Sequence, residues 1–283
     1  MKTFSTLVSA EDLAHHLHDA RWCVFDCSFD LVHPHAGELA YREVHIPGAI
    51  YAHLERDLSG PLTGRNGRHP LPDPARFAAK LGEWGVGNDT QVVVYDDAGG
   101  TYAVRLWWML RWLGHDAVAV LDGGINAWEA AGYDTTDAGP HHPHAAFTPR
   151  LRPEMAVDVR FVESQSPQDG VRLLDARNAQ RFRGENETLD PVGGHIPGAV
   201  NRFFKDNLEP SGRFKPAGML RAEYQALMAG RGAEEVVHSC GSGVTACHNL
   251  LAMEVAGLSG SRIYPGSWSE WCADPARPVA TGP

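Results

Sequence analysis

The chain is short of cysteine, carries no excess of positive charge and contains no long apolar run. Each shortage narrows what it can be. Its five cysteines in 283 residues are an odd number, with no CxxC pair and no disulfide-framework spacing. Reduced thiols in the cytoplasm fit that usage; a disulfide-stapled secreted fold does not. No stretch approaches the ~20 apolar residues that cross a bilayer. The first eight residues lead into Glu11 and Asp12 too early for a signal-peptide core. A soluble, cytoplasmic protein with no membrane partner is expected. The formal charge of −10 argues against a nucleic-acid partner. His141, His142 and His144 have no cysteine or acid to complete a metal site, so neither metal nor cofactor is expected.

What is present is an ordinary globular balance, 43% apolar and 21% charged, in a chain long enough for two domains. The domains announce themselves as an internal repeat. His45-Ile46-Pro47-Gly48-Ala49 returns as His195-Ile196-Pro197-Gly198-Ala199. A strand ending in aspartate precedes each copy (Cys23–Asp26 and Arg172–Asp175), and another apolar strand follows (Val92–Asp97 and Val236–Cys240). Each half closes on a Gly/Trp signature, Gly123 to Trp128 and Gly266 to Trp271. Strands near Val24, Val93 and Val118, and near Leu173, Val237 and Ile263, alternate with helical stretches. Ser9 to His18, Pro74 onward and Val104 to Leu113 are the helices of the first half. Trp107, Trp108 and Trp112 fall at helical spacing and read as core. The pattern predicts an α/β fold of two domains, each a mainly parallel sheet with helices on both faces. We place the first at 1–137, a Pro- and His-rich linker at 138–155 and the second at 156–283.

The chemistry concentrates at Val236 to Cys247. A β-branched run ends at Cys240, a loop of small residues follows, and then a helix begins. Gly241 and Gly243 let the backbone curl so that N–H groups of the loop, through Ser242, Val244 and Thr245, turn inward. The helix N-terminus adds unpaired donors and positive potential, a setting that stabilises negative charge on sulfur. Reactive groups in parallel sheets gather at the carboxyl ends of strands, where Cys240 falls. Cys247, on the following helix, reads as a small buried hydrophobe. Aligning the halves by their loops sets Asp97-Ala98-Gly99-Gly100-Thr101 against Cys240 to Val244, so the first domain is expected to be inactive.

These motifs, with Asp175-Ala176-Arg177 and Arg181-Phe182-Arg183-Gly184, resemble the tandem-domain rhodanese-type sulfurtransferases over nearly the whole chain. The resemblance implies an enzyme whose C-terminal cysteine accepts a sulfane sulfur as a persulfide. It then passes the sulfur to cyanide or to a thiol, such as thioredoxin or a small thiol. The loop Cys240 to Ala246 is similar to that of the 3-mercaptopyruvate branch. The thiosulfate branch typically carries Arg-Lys where this chain has Gly241 and Ser242, and two cations there suit a dianion. A small-molecule sulfur donor, 3-mercaptopyruvate, is therefore expected, with thiosulfate as the alternative and a non-catalytic sulfur-binding module as a weaker one. The same resemblance assigns Arg181 to the donor's carboxylate and suggests Ser242 and His45 as a proton relay beside Cys240. His45 can equally be a turn-capping residue, as its repeat His195 is expected to be. Where the mercaptopyruvate branch often has a further arginine, this chain reads Glu185 to Pro191, with acids and no arginine. A cysteine phosphatase would need arginine at the sixth position after the nucleophile, and that position is Ala246.

Overall fold

The computed structural model describes residues 3–165 and 170–283; Met1 and Lys2 of the N-terminal reading lie outside it. The chain divides into two units. The first holds Met1–Gly60, Pro72–Arg152 and Pro210–Arg213, and the second Pro61–Leu71, Pro153–Glu209 and Phe214–Pro283. Two short segments thus fold with the half of the sequence to which they do not belong. For Pro61–Leu71 this has consequences at the site.

The first unit runs β1 (Leu7–Val8), α1 (Ala10–His16), β2 (Trp22–Asp26), α2 (Ala36–Glu43), β3 (Ile50–Tyr51), α3 (Pro74–Glu83), β4 (Gln91–Tyr95), α4 (Ala103–Trp112), β5 (Val118–Leu121) and α5 (Gly124–Ala130). The strands pair in parallel in the order β1-β5-β4-β2-β3. All five residues of β2 and of β4 are buried, as strands covered on both faces must be. Val24, Val93 and Ala119 pack with Leu13 of α1 and Trp128 of α5. On the opposite face the Phe25 ring meets Trp84, just past α3, at 5.2 Å. Local chemistry sets the helix ends. Ser9 Oγ accepts the Asp12 N–H at 3.0 Å, and Asp73 accepts from Arg76 at 2.9 Å with proline in the first turn. Gly114, at φ 83°, closes α4, whose three tryptophans are buried as their spacing predicts.

The second unit runs α6 (Val159–Glu163), β6 (Arg172–Asp175), α7 (Ala179–Arg183), β7 (Val200–Asn201), α8 (Ala217–Met228), β8 (Val236–Ser239), α9 (Ala246–Val255), β9 (Arg262–Ile263) and α10 (Ser267–Trp271). Its parallel sheet has the order β7-β6-β8-β9, and a single bridge, Ala156 to Ile263, stands at the edge that β1 fills in the first unit. Short strands such as β1, β3 and β7 had no periodicity to betray them; two residues cannot show a period. Residues 138–152 run along the first unit. The N–H groups of Ala145, Arg150 and Arg152 donate to Gly82, Leu113 and Trp112 at 2.9, 2.7 and 2.8 Å. Among the described residues no helix is long and apolar enough to cross a membrane.

Candidate active site

Cys240 is the first residue beyond β8, in the second unit, and its side chain is buried. The Gly243 N–H donates to its sulfur at 3.1 Å. That contact needs the left-handed backbone of Gly243 (φ 76°), where a Cβ would lie 2.2 Å from the Pro265 carbonyl oxygen. The backbone of Cys240 is fixed from the other side. Its N–H donates to Ser267 Oγ at 3.0 Å, Ser267 Oγ donates to the Tyr264 carbonyl at 2.9 Å, and the Trp268 N–H donates to the Cys240 carbonyl at 3.0 Å. Ser267 holds φ 53°, a conformation that costs a non-glycine residue about 1–3 kcal/mol and gathers at functional sites. Val244 is buried, and Thr245 is the residue from which α9 starts, so the loop leads straight into a helix N-terminus. Cys247 is buried and donates to the Gly243 carbonyl at 3.5 Å, so the second thiol supports the loop from beneath.

Above Gly241 the structure gathers cations. A Cβ on this residue would come within 2.9 Å of Arg68 Nη2 and within 3.5 and 3.7 Å of Arg181 Nη2 and Nη1. Arg181 therefore reaches the residue next to Cys240. Its Nε and Nη2 are held by Glu187 at 2.9–3.1 Å, and Nη2 also meets Asp190 Oδ2 at 3.1 Å. Asp190 Oδ1 accepts in turn from Arg68 Nη1. Arg177 is buried against Asp175, with Nη2 to Oδ2 at 2.7 Å, and its guanidinium lies over Trp268. Arg183 pairs with Glu185 at the surface. Burial would lift the Glu187 carboxyl, but Arg181 and the amides of Leu189 and Asp190 outweigh it and hold it below its usual range. For Asp190 burial wins over Arg68 and Arg181, and its carboxyl is pushed up. The acids after Arg183, which looked in the sequence like a missing cation, are the groups that position the cations present.

Ser242 has a histidine partner within the second unit. His69 Nδ1 lies 2.7 Å from Ser242 Oγ, and both residues are buried. His45 belongs to the first unit and is braced within it. Its Nδ1 and Nε2 face the carbonyls of Tyr41 at 2.6 Å and Ala138 at 3.0 Å, and its ring stacks on Tyr41. His195 does the same in the second unit, with Nδ1 at 2.8 Å from the Phe182 carbonyl and its ring stacked on Phe182. Each histidine also exchanges backbone hydrogen bonds with a later residue, Thr136 or Ala280. The two copies of the motif are the same brace. His69 and Arg68 escaped the sequence reading because Asn66-Gly67-Arg68-His69-Pro70 carries only turn signals, and its attachment to the second unit is not a local property.

The rhodanese-like domain family matches residues 9–131 and 159–274. The chain is 50% identical over 278 residues to a probable 3-mercaptopyruvate sulfurtransferase of Pseudomonas aeruginosa, covering 98% of each chain. It is 34% identical over 279 residues to the thiosulfate sulfurtransferase of Mus musculus, covering 95% of this chain and 92% of the relative. The crystal structure of the 3-mercaptopyruvate sulfotransferase from Escherichia coli matches with a TM-score of 0.80 at 32% identity, covering 94% of this chain and 99% of that one. This chain belongs to the rhodanese family. It is a tandem-domain sulfurtransferase, with one rhodanese-like domain in each half.

Comparing the two rhodanese-like domains strand by strand corrects the loop alignment. β2 and β4 pair Asp26 with Tyr95, while β6 and β8 pair Asp175 with Ser239. The residue in the place of Cys240 is therefore Asp96, not Asp97. Backbone contacts agree, since Ile125 donates to the Asp96 carbonyl as Trp268 does to that of Cys240. Asp96 is fully buried and turned into its own loop. It accepts from the N–H groups of Ala98 and Gly100, both at 2.8 Å, and of Tyr102 and Ala103 at 2.8 and 2.9 Å. The nest that could stabilise an anion is filled by a carboxylate of the chain itself. Ala40 stands where the second domain has Arg181, since Tyr41 and Phe182 hold corresponding places under the two histidines.

Proposed function

We propose that this enzyme takes sulfur from 3-mercaptopyruvate, carries it as a persulfide on Cys240 and delivers it to cyanide or to a thiol, such as thioredoxin or a small thiol, in the cytoplasm. The Cys240 thiolate attacks the donor's sulfur and a new S–S bond forms. The donor's C–S bond breaks, and its electron pair leaves as the enolate of pyruvate, which takes up a proton. Ser242, hydrogen-bonded to His69, is the source of that proton, and His69 serves as the histidine of the relay in preference to His45. The Gly243 N–H, which donates to the Cys240 sulfur, and the start of α9 support the negative charge of the persulfide. An acceptor thiolate then attacks the outer sulfur and restores Cys240.

The observation that carries the reading is the single cluster of a cysteine cradled by an N–H donor, a serine–histidine pair and an arginine over the adjacent glycine. Its charge balance favours this donor over thiosulfate. Arg68, Arg177 and Arg181 are matched by Asp175, Glu187 and Asp190, and no cation replaces Gly241 or Ser242. Such a site suits a monoanion better than a dianion. Relatives named as thiosulfate sulfurtransferases keep thiosulfate as the second reading. Steady-state rates with both donors test the choice, and mercaptopyruvate is expected to be the faster. Mass spectrometry after donor treatment should find about 32 Da added on Cys240 alone, and Cys240→Ser should abolish transfer, because persulfide chemistry needs a reactive thiolate. Faster turnover of thiosulfate, or the adduct on another cysteine, would overturn the assignment.

A further inference from the structure

Arg68 belongs by sequence to the first half and by structure to the second unit. The segment that carries it is tied down locally. Asn66 Oδ1 accepts the Thr63 N–H at 2.9 Å, and Asn66 Nδ2 donates to the Pro61 carbonyl at 3.0 Å. Gly67 takes φ 80° and passes so close to the 266–269 turn that a Cβ would lie 2.8 Å from the Gly266 carbonyl oxygen. The next residue, Arg68, donates its N–H to Ser269 Oγ at 3.1 Å. Ser269 in turn donates its N–H to the Gly241 carbonyl at 2.9 Å. One residue thus fixes both the backbone of Arg68 and the backbone beside the nucleophile.

The side chain uses that placement. Nη1 of Arg68 is anchored on Asp190, which leaves Nη2 facing Gly241; Arg181 is anchored through Nε and Nη2, which leaves Nη1 facing the same point. Two guanidinium groups converge one residue from Cys240, and the Asp190 carboxylate between them offsets their repulsion. With side-chain exposures of 29% and 16%, both are open to a small solute. A planar carboxylate can be held by two such N–H edges at once.

We propose that Arg68 is a donor-binding residue, and that with Arg181 it grips the carboxylate of the 2-oxo acid above Gly241. The assignment rests on the donor reading given above. Replacing Arg68 by alanine should raise KM for mercaptopyruvate about 10- to 150-fold, the range expected for one charge-assisted contact, and leave kcat within about threefold. The inhibition constant of pyruvate, which presents the same carboxylate without the sulfur, should rise in parallel. Discharge of preformed Cys240 persulfide to cyanide, followed in a single turnover, should not change, because that step does not use the donor's carboxylate. Arg68→Lys should recover part of the loss, and it serves as the second variant should alanine disturb the segment. Unchanged KM and pyruvate inhibition in the folded variants would overturn the inference. So would a fall in kcat and persulfide discharge in both variants, since that pattern belongs to a structural part. The donor reading fails differently: unmodified enzyme would turn over thiosulfate and not mercaptopyruvate, and the carboxylate would lose its place as ligand.

Discussion

Asp96 occupies the place of Cys240 in the first rhodanese-like domain, so giving that domain a cysteine tests what the fold needs for the chemistry proposed above. The variant is Asp96→Cys in a Cys240→Ser background. The carboxylate that would be lost accepts four N–H groups at 2.8–2.9 Å and is fully buried. Hydrogen bonds to a charged group contribute about 1.5–3 kcal/mol each. A sulfur is a weak acceptor with no second oxygen to offer, so at least two of the four should go, at a cost of about 3–6 kcal/mol. Set against a domain stability of about 5–15 kcal/mol, that is a large loss. It should lower the unfolding temperature of the first unit by roughly 6–24 °C, at 2–4 °C per kcal/mol. The introduced thiol would also lack the counterpart of Arg181, since Ala40 stands in its place. Calorimetry should therefore show a shifted transition, and mass spectrometry after mercaptopyruvate treatment no added sulfur at position 96. A persulfide there with measurable turnover, or an unshifted transition, would refute the argument that the carboxylate both props and blocks this loop.

The two histidines should separate by readout. His69→Asn is expected to lower kcat with mercaptopyruvate by about 10²- to 10⁴-fold, the usual range for a general acid–base group. His45→Asn should lower the unfolding temperature and leave kcat near its original value; the reverse pattern would restore His45 to the site. The acid limb of stability should depend on His238, which is wholly buried on β8 beside Ser261 and whose pKa burial lowers from 6.5 to about 3. Below pH 6.5 the unfolded chain takes up a proton that the folded chain refuses. The stability this group withholds is thus nil above that pH and grows at about 1.4 kcal/mol per pH unit as pH falls toward 3. Urea unfolding at pH 7, 5 and 4 should show a flatter decline in His238→Asn than in the parent, and equal declines would count against it.

Much of this was legible in the chain, for reasons that particular residues make plain. Strands buried on both faces write themselves as apolar runs, so Trp22–Asp26 and Gln91–Tyr95 could be found without a structure. Cys240 was legible because glycine at 241 and 243 has few other uses between a strand and a helix. Register was harder. Val92 to Asp97 offers two consecutive aspartates, and only the pairing of Asp26 with Tyr95 decides that the first of them stands in the place of Cys240. The Arg68–Asp190 contact joins residues far apart in sequence through a segment that changes units, and no local pattern encodes that.

A repeat sorts residues by kind of work. Whatever both halves keep must serve something both halves do, and what both do is fold. His45 and His195 are shared, and both brace a turn on an aromatic ring; Asp26 and Asp175 are shared, and both close the central strand pair. The residues gathered around Cys240 and Gly241 differ between the halves: Cys240 against Asp96, Arg181 against Ala40, and Ser267, strained at φ 53°, against Gly124 at φ 60°. The last pair shows the logic most directly. Glycine takes a left-handed backbone at no steric cost, and the first domain uses it there. The second domain accepts the strain of serine at the same place and gains a hydroxyl that holds the Cys240 N–H. On the function proposed above, a residue that costs stability where its repeat does not is retained for the reaction. By that criterion the search for function in a tandem chain should begin where the halves disagree.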